Sequence, residues 1–280
     1  MPRSVFRFPG GKSKVQKKIL AYAPKHFLEY REPFVGGGGI FFGLDSIGKR
    51  RWINDIHPGL IAVYRSLRDR PLEFIKMCKD IPAHQPGEKE VSTKGKGKKY
   101  NERLGKIFDS VRLDINCDQA FRYFFINRTV WMGRVNYDIP SRLYYSVPEG
   151  WDIVKTDRLE QAAAHIVGTV ISCGSYLPLM EAPGQDVFIY ADPPYVVNTN
   201  MARQDQQYQH NFTLEDHEDF VESVKECKHK VCISYDDCDL VREWFDDSRF
   251  IIHEEEWKYS GSNLTEKKTG QELIITNYQC

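Results

Sequence analysis

Short apolar runs that stop at acidic or turn residues recur along this chain, and longer amphipathic stretches fill the intervals between them. That alternation is the pattern of an α/β sheet with helices on its faces. Strands are expected to end at Phe34-Val35, Asn54-Asp55, Ser172-Cys173, Tyr190-Ala191 and Ser234-Tyr235, with further β-rich runs at Phe250-Ile251-Ile252 and Leu273-Ile274-Ile275-Thr276. Helices are expected over Ser13 to Ala23, Pro58 to Leu67, Leu214 to Cys227 and Leu240 to Phe245. Thr213 reads as a cap ahead of an acidic first turn. From about residue 70 to residue 150 the pattern changes to a basic, glycine-interrupted segment, an aromatic helix and an irregular arginine-bearing stretch. Residues 70–149 therefore read as an insertion into a domain built from residues 1–69 and 150–280.

With 280 residues, 41% of them hydrophobic, the chain can bury a substantial core. Its 39 Lys and Arg balance 39 Asp and Glu, so any surface for a polyanion must arise by local segregation of charge. Lys94, Lys96, Lys98, Lys99, Arg103 and Lys106, opposed only by Glu102, provide one such segregation. Such a run serves either as a solvated loop or as a phosphate contact. Seven scattered cysteines form no C-x-x-C pair and read as reduced thiols. The eight histidines include no H-E-x-x-H, so no metal is expected. No apolar run approaches the roughly 18 residues of a membrane span. The expectation is a cytoplasmic protein with no membrane partner.

The apolar run Val187-Phe188-Ile189-Tyr190-Ala191 stops at Asp192-Pro193-Pro194-Tyr195. A plain strand-ending turn is one reading, because Asp and Pro are common turn residues. The other is chemistry on the exocyclic amine of a base. Adenine N6 is a poor nucleophile, its lone pair delocalised into the ring, so its hydrogens must be held by acceptors while the nitrogen pyramidalises. Asp192 offers carboxylate oxygens and Pro193 a backbone carbonyl. Consecutive prolines fix φ and remove N–H donors, which gives a stiff turn presenting carbonyls. Tyr195 supplies a ring face for a base to stack upon.

Upstream, Glu32-Pro33-Phe34-Val35-Gly36-Gly37-Gly38-Gly39 follows the first expected strand, and its glycines let backbone approach a ligand closely. Asn54-Asp55 closes a second strand about 20 residues later, where a carboxylate can bind both hydroxyls of a ribose. Together they point to an adenosine-type cofactor at the carboxyl ends of the strands. Gly10-Gly11-Lys12-Ser13 resembles part of a P-loop, but residue 6 is Phe where that loop needs Gly. It is either a turn capping a helix near Ser13 or a cofactor contact in which Lys12 meets a carboxylate and Phe8 packs on the ligand.

Taken in order, these residues resemble the Dam-type DNA adenine-N6 methyltransferases over most of the chain. Arg7-Phe8-Pro9-Gly10-Gly11-Lys12 is similar to the family's N-terminal motif, Glu32 to Gly39 to its glycine loop, and Asp55 to its ribose acid. Asp192 to Tyr195 is similar to its catalytic motif and Thr213-Leu214-Glu215 to the helix start after it. Ser260-Gly261-Ser262-Asn263 and Glu272 to Tyr278 resemble its closing hairpin. The resemblance implies a Rossmann-like methyltransferase sheet with an inserted, mainly helical recognition domain bearing a hairpin. It implies S-adenosylmethionine as cofactor, contacted by Phe8, Gly10, Gly11, Lys12, Glu32, Phe34, Gly36, Gly38, Asp55 and Asp192, and no metal. Asp192, Pro193, Pro194 and Tyr195 would act on an adenine flipped from double-stranded DNA, with Asn198 to His210 as a lid or a plain loop. A bacterial or phage origin is expected, and the resemblance admits a cognate restriction endonuclease as partner. The rival readings are a cytosine-N4 methyltransferase on the same scaffold, a silent DNA-binding module and a P-loop phosphotransferase.

One segment departs from the family pattern. Phe124 to Tyr137 aligns with the helix end and hairpin that read bases, where an Asn-Gly pair precedes a guanine-reading arginine. Here Met132 takes the Asn place, Asn136 stands where that arginine is expected, and Arg134 is shifted by two. Arginine suits guanine and asparagine suits adenine, so recognition of GATC is not implied. The DNA-binding candidates are Lys96, Lys98, Lys99, Asn127, Arg128, Trp131, Arg134 and Asn136. Asn127 and Arg128 either contact phosphate or brace the hairpin, and Trp131 or Met132 either wedges into the gap of a flipped base or belongs to the core.

Overall fold

A computed structural model describes residues 2–8, 10–46, 48–83, 85, 87–88, 90–92, 99–130, 133–138, 148–196, 212–258 and 269–280. Chain packing divides the protein into two compact units. The sheet unit comprises Lys12–Val35, Leu44–Ile56 and Thr169–Cys280, and the helical unit Met1–Gly11, Gly36–Gly43 and His57–Gly168.

The sheet unit carries β1 (Glu29–Glu32), β2 (Arg50–Asp55), β5 (Val170–Cys173), β6 (Val187–Ala191), β7 (Lys230–Asp236), β8 (Ile251–Lys258) and β9 (Thr269–Thr276). They form one mixed seven-stranded sheet in the order β5-β2-β1-β6-β7-β9-β8. The first five are parallel, and β9 runs antiparallel to both β7 and β8. Every residue of β6 is buried, as a central parallel strand covered on both faces requires. On one face Val187, Ile189 and Ala191 join Phe220, Val221, Val224 and Val241 of α8 (Leu214–Glu226) and α9 (Asp239–Trp244) in an apolar core. On the other, the ring of Phe188 lies 5.5 Å from Phe27 and 5.7 Å from Tyr30. The expected cap forms: Thr213 accepts from the Asp216 amide, and the Asp216 side chain accepts from the Thr213 amide, closing a capping box.

Two elements are markedly shorter than expected. Strand β1 stops at Glu32 rather than Val35, because Pro33 has no N–H to continue the ladder. The helix expected from Ser13 to Ala23 is only α1 (Gln16–Leu20), preceded by a 3-10 turn over Lys12–Lys14. That turn lets the short segment deliver Lys12, a buried residue, into the unit.

The helical unit contains α2 (Pro58–Asp69), α3 (Pro71–Asp80), α4 (Glu102–Leu113), α5 (Gln119–Thr129) and α6 (Arg158–Ile166), with a short antiparallel hairpin of β3 (Glu90–Ser92) and β4 (Lys99–Asn101). Apolar and polar residues alike are buried around α5, from Tyr123 through Thr129, which makes it the central helix. Gly59 lets α2 approach it: a Cβ there would stand 2.7 Å from the Tyr123 ring. Trp151 closes one end, its ring 4.7 Å from Phe125 and its indole N–H donating to Ile81 O at 3.0 Å. A further helix, α7 (Leu177–Glu181), belongs to the sheet unit. Among the described residues, no helix is long and apolar enough to cross a membrane.

Candidate active site

The strand order fixes where a ligand can lie on the sheet unit. From β1 the chain adds β2 and β5 on one side, while β6 and β7 lie on the other, so the order reverses between β1 and β6. Open α/β sheets bind ligands beyond the carboxyl ends of the strands at such a reversal. Glu32 ends β1 and Asp192 follows β6 at that edge.

Asp192 leaves the sheet at two prolines, and the turn is held from behind. The amide of Val196 donates to Asp236 Oδ1 at 3.0 Å, which anchors the residue after Tyr195 to the end of β7. The ammonium of Lys12 lies 2.8 Å from Asp192 Oδ1, 2.8 Å from the Tyr195 hydroxyl and 3.7 Å from Glu272 Oε2. It also stands 4.8 Å from the centre of the Tyr195 ring. Lys12 and Glu272 are both buried. Burial raises the pKa of Asp192 to about 6, against the pull of Lys12 and with a further upward push from Glu272. Burial, together with the charges of Asp192 and Glu272, holds the Tyr195 hydroxyl protonated well beyond its ordinary range. Lys12, expected either in a helix-capping turn or on a cofactor carboxylate, has its ammonium against the Asp-Pro-Pro-Tyr turn.

Asn54 organises the neighbouring strand ends. Its Nδ2 donates to Pro33 O at 3.1 Å and Gly174 O at 2.9 Å, while its Oδ1 accepts from Ser172 Oγ at 2.8 Å. One buried amide thus ties β1, β2 and β5 together and fixes Asp55, the next residue. Glu32 accepts from the Tyr30 hydroxyl at 2.6 Å, and Phe34 packs among Tyr176, Phe212 and Phe220.

In the helical unit the glycine loop packs on its own protein. A Cβ on Gly37 would stand 2.9 Å from Phe8 Cβ, and one on Gly38 2.6 Å from the Tyr64 hydroxyl. Gly36 has φ 45° and its carbonyl accepts from Tyr64 at 2.9 Å. Gly10 and Gly11 form a tight turn, with Gly11 N–H donating to Phe8 O at 3.1 Å. Asn127 accepts from the Arg7 amide at 3.0 Å and donates to Arg7 O at 2.7 Å and Gly133 O at 3.0 Å. Arg128 donates to Gly150 O at 2.9 Å and Val5 O at 3.1 Å. Burial, then the like charges of Arg158 and Arg7, push its pKa down to about 9. Both side chains are therefore engaged with backbone. Arg134 and Asn136 are half-buried, and Asn136 Oδ1 caps the Asp138 amide at 2.8 Å. Lys94, Lys96, Lys98, Trp131, Met132, Asn198 to His210 and Ser260 to Asn263 lie outside the described residues. Lys99 lies in β4.

A family model described as D12 class N6 adenine-specific DNA methyltransferase matches residues 8–261. The chain belongs to that family. It is 25% identical to the type II methyltransferase M1.LlaDCHI of Lactococcus lactis subsp. cremoris, over 99% of this chain and 95% of that protein. It is also 25% identical to the DNA adenine methylase of Escherichia coli K12, over 98% of this chain and 95% of that one. A third relative, the type II methyltransferase M.CviBI of Paramecium bursaria Chlorella virus NC1A, is 25% identical over 99% of this chain and 100% of its own length.

As a D12 class enzyme the protein methylates adenine in DNA, and its mixed α/β sheet is that of a Rossmann-like methyltransferase. Sequence reasoning assigned no role to three buried polar residues of the sheet unit. Asn54 was seen only as a strand end, Glu272 only as part of a hairpin, and Asp236 not at all. The one available signal was an acid or amide interrupting or closing an apolar strand, where an unpaired polar group would be costly.

Proposed function

We propose that this D12 class enzyme transfers the methyl group of S-adenosylmethionine to N6 of an adenine flipped out of double-stranded DNA. The observation that carries the reading is the placement of Asp192, Lys12 and Tyr195 within 2.8 Å contacts at the β1/β6 reversal. Asp192 and the Pro193 carbonyl accept from the N6 hydrogens, Pro194 keeps the turn stiff, and Tyr195 stacks on the base. Lys12 holds the carboxylate until the amine arrives. Catalysis then consists of positioning and preorganised electrostatics.

The donor set fits the cofactor. Asp55 is fixed at the end of β2 by the Asn54 staple, where an acid binds ribose hydroxyls, and Glu32 supplies a second carboxylate at the end of β1. S-adenosylmethionine supplies the electrophilic methyl when bound. Phe34 fits as an apolar contact, and the resemblance adds Phe8, Gly10, Gly11, Gly36 and Gly38. Residues 70–149 form the target-recognition insertion in this reading. Arg134 and Asn136 read bases there, Lys96, Lys98 and Lys99 meet phosphates, Asn127 holds the Arg7 and Gly133 backbone in place, and Arg128 holds that of Val5 and Gly150. The type II names of two relatives support a restriction-modification setting with a cognate endonuclease, and bacterial and viral relatives support a cytoplasmic location.

The test is direct: DNA methylated with labelled cofactor is digested to nucleosides, and the label is expected in N6-methyladenosine. Label in a cytosine product, or none in DNA, would overturn the reading. Its pH dependence is also specified. Asp192 must be ionised to accept, so kcat/KM is expected to fall as pH drops through about 6 and to be level well above it. Stability runs the other way. A carboxyl group whose folded pKa is raised stabilises most below its unfolded value near 4, and that contribution is lost as pH rises through about 6. A pH–rate profile with no acid limb near that value would remove Asp192 as the titrating group. Tyr195→Ala is expected to cost roughly 1–3 kcal/mol of base binding. 2-Aminopurine at the target position should emit differently in that complex, and identical emission would exclude the stacking role.

A further inference from the structure

Lys12 stands between the carboxylates of half-buried Asp192 and buried Glu272, and the mechanism above uses only the first. Glu272, on β9, is 2% exposed, and its Oε2 lies 3.7 Å from an ammonium that contacts Asp192 at 2.8 Å. Its register neighbours are Asp236 on β7 and Glu255 on β8. Tyr195 faces the same group, and Tyr190 precedes Asp192 in β6 and is influenced by its charge. A single buried ion pair of Lys12 with Asp192 would be hard to open, since moving the ammonium away would leave two uncompensated charges in a low-dielectric site. Yet an ammonium held on Asp192 Oδ1 draws charge from the carboxylate, so releasing it makes Asp192 the stronger acceptor for the N6 hydrogens. Glu272 supplies the second place for the ammonium. A shift of about 1 Å brings it from ion-pair range to a charge-assisted hydrogen bond.

We propose that Glu272 is a positioning residue that takes over the Lys12 ammonium when Asp192 engages the target amine. The inference rests on the reading of Asp192 as the N6 acceptor. The Tyr195 hydroxyl, 2.8 Å from Lys12, bridges the two positions and keeps the ammonium hydrogen-bonded throughout. The charge inventory of the cluster is unchanged by the transfer, so no proton need enter or leave.

The test compares E272Q and E272D with the wild-type enzyme in single-turnover methylation of duplex DNA, with DNA affinity and thermal unfolding measured alongside. In E272Q, Lys12 stays on Asp192, and the methylation rate is expected to fall roughly a hundredfold with DNA affinity within about twofold. The acid limb of the rate profile should move to lower pH, because a negative charge that raises the Asp192 pKa is gone. E272D should recover most of the rate. In the K12M background, adding E272Q should change the rate little, since the two act through one contact. That background also decides the matter if E272Q alone unfolds. Wild-type rate and an unmoved acid limb in E272Q, or additive losses in the double variant, would overturn the inference. Those results leave the Asp192 reading standing if D192N is inactive. An active D192N would instead sink that reading itself.

Discussion

Asp192→Ala is expected to lower the single-turnover rate of methyl transfer by at least about a thousandfold, with the protein still folded. In the proposed mechanism the side chain is the acceptor at the β1/β6 reversal, and the Pro193 carbonyl alone cannot hold both N6 hydrogens as the nitrogen rehybridises. Stability should not suffer. Near neutral pH the ionised group is held in the folded protein at a cost, since burial has raised its pKa to about 6, and Lys12 retains Glu272 at 3.7 Å. Transfer of tritium from labelled cofactor to duplex DNA measures the rate, and thermal unfolding measures the fold. A variant that unfolds at the wild-type temperature and still turns over near normally would take Asp192 out of the chemistry.

Gly133→Ala should be severely damaging to the helical unit. Gly133 has φ 74°, and a Cβ there would overlap the Arg7 carbonyl. That carbonyl is the acceptor for Asn127 Nδ2 at 2.7 Å, so the displacement breaks a buried three-way bridge joining residues 7, 127 and 133. A loss of roughly 3–5 kcal/mol follows, from strain together with unsatisfied backbone groups. Gly10→Ala is the control. It has φ 71° but nothing within 4 Å of the added carbon, so only the left-handed backbone penalty of about 1–2 kcal/mol applies. Urea unfolding separates the two. Equal losses would show that the contact with Arg7 contributes nothing.

The residues that were legible in the sequence are those whose role is local. Strand β6 and its proline stop were readable because five apolar residues ending at Asp-Pro-Pro admit few conformations. The Thr213 cap was readable because capping chemistry operates over three residues. What was not legible depends on partners far away along the chain. Gly10 and Gly11 leave Lys12 either in a helix-capping turn or on a cofactor carboxylate, and only the fold sets its ammonium against Asp192 and Tyr195. Asn127 could be read as a phosphate contact or a brace, and its hydrogen bonds to Arg7 and Gly133 show what its side chain holds. Phe34 and Val35 look like strand residues, but Pro33 ends the ladder of β1 before them.

Strand β9 lies inside the sheet, between β7 and β8, although β8 precedes it in the chain. During synthesis β8 emerges before β9, its sheet neighbour among the described residues, and the edge of β7 waits with it. Until residues 269–276 leave the ribosome, that edge offers a row of open amides and carbonyls, the kind of surface on which nascent chains associate with one another. Glu272 arrives in the same segment, so a partly made enzyme has neither a closed sheet nor a complete charge cluster. Exposure of the β7 edge and completion of the charge cluster around Lys12 therefore end and begin at one event, the docking of a single strand.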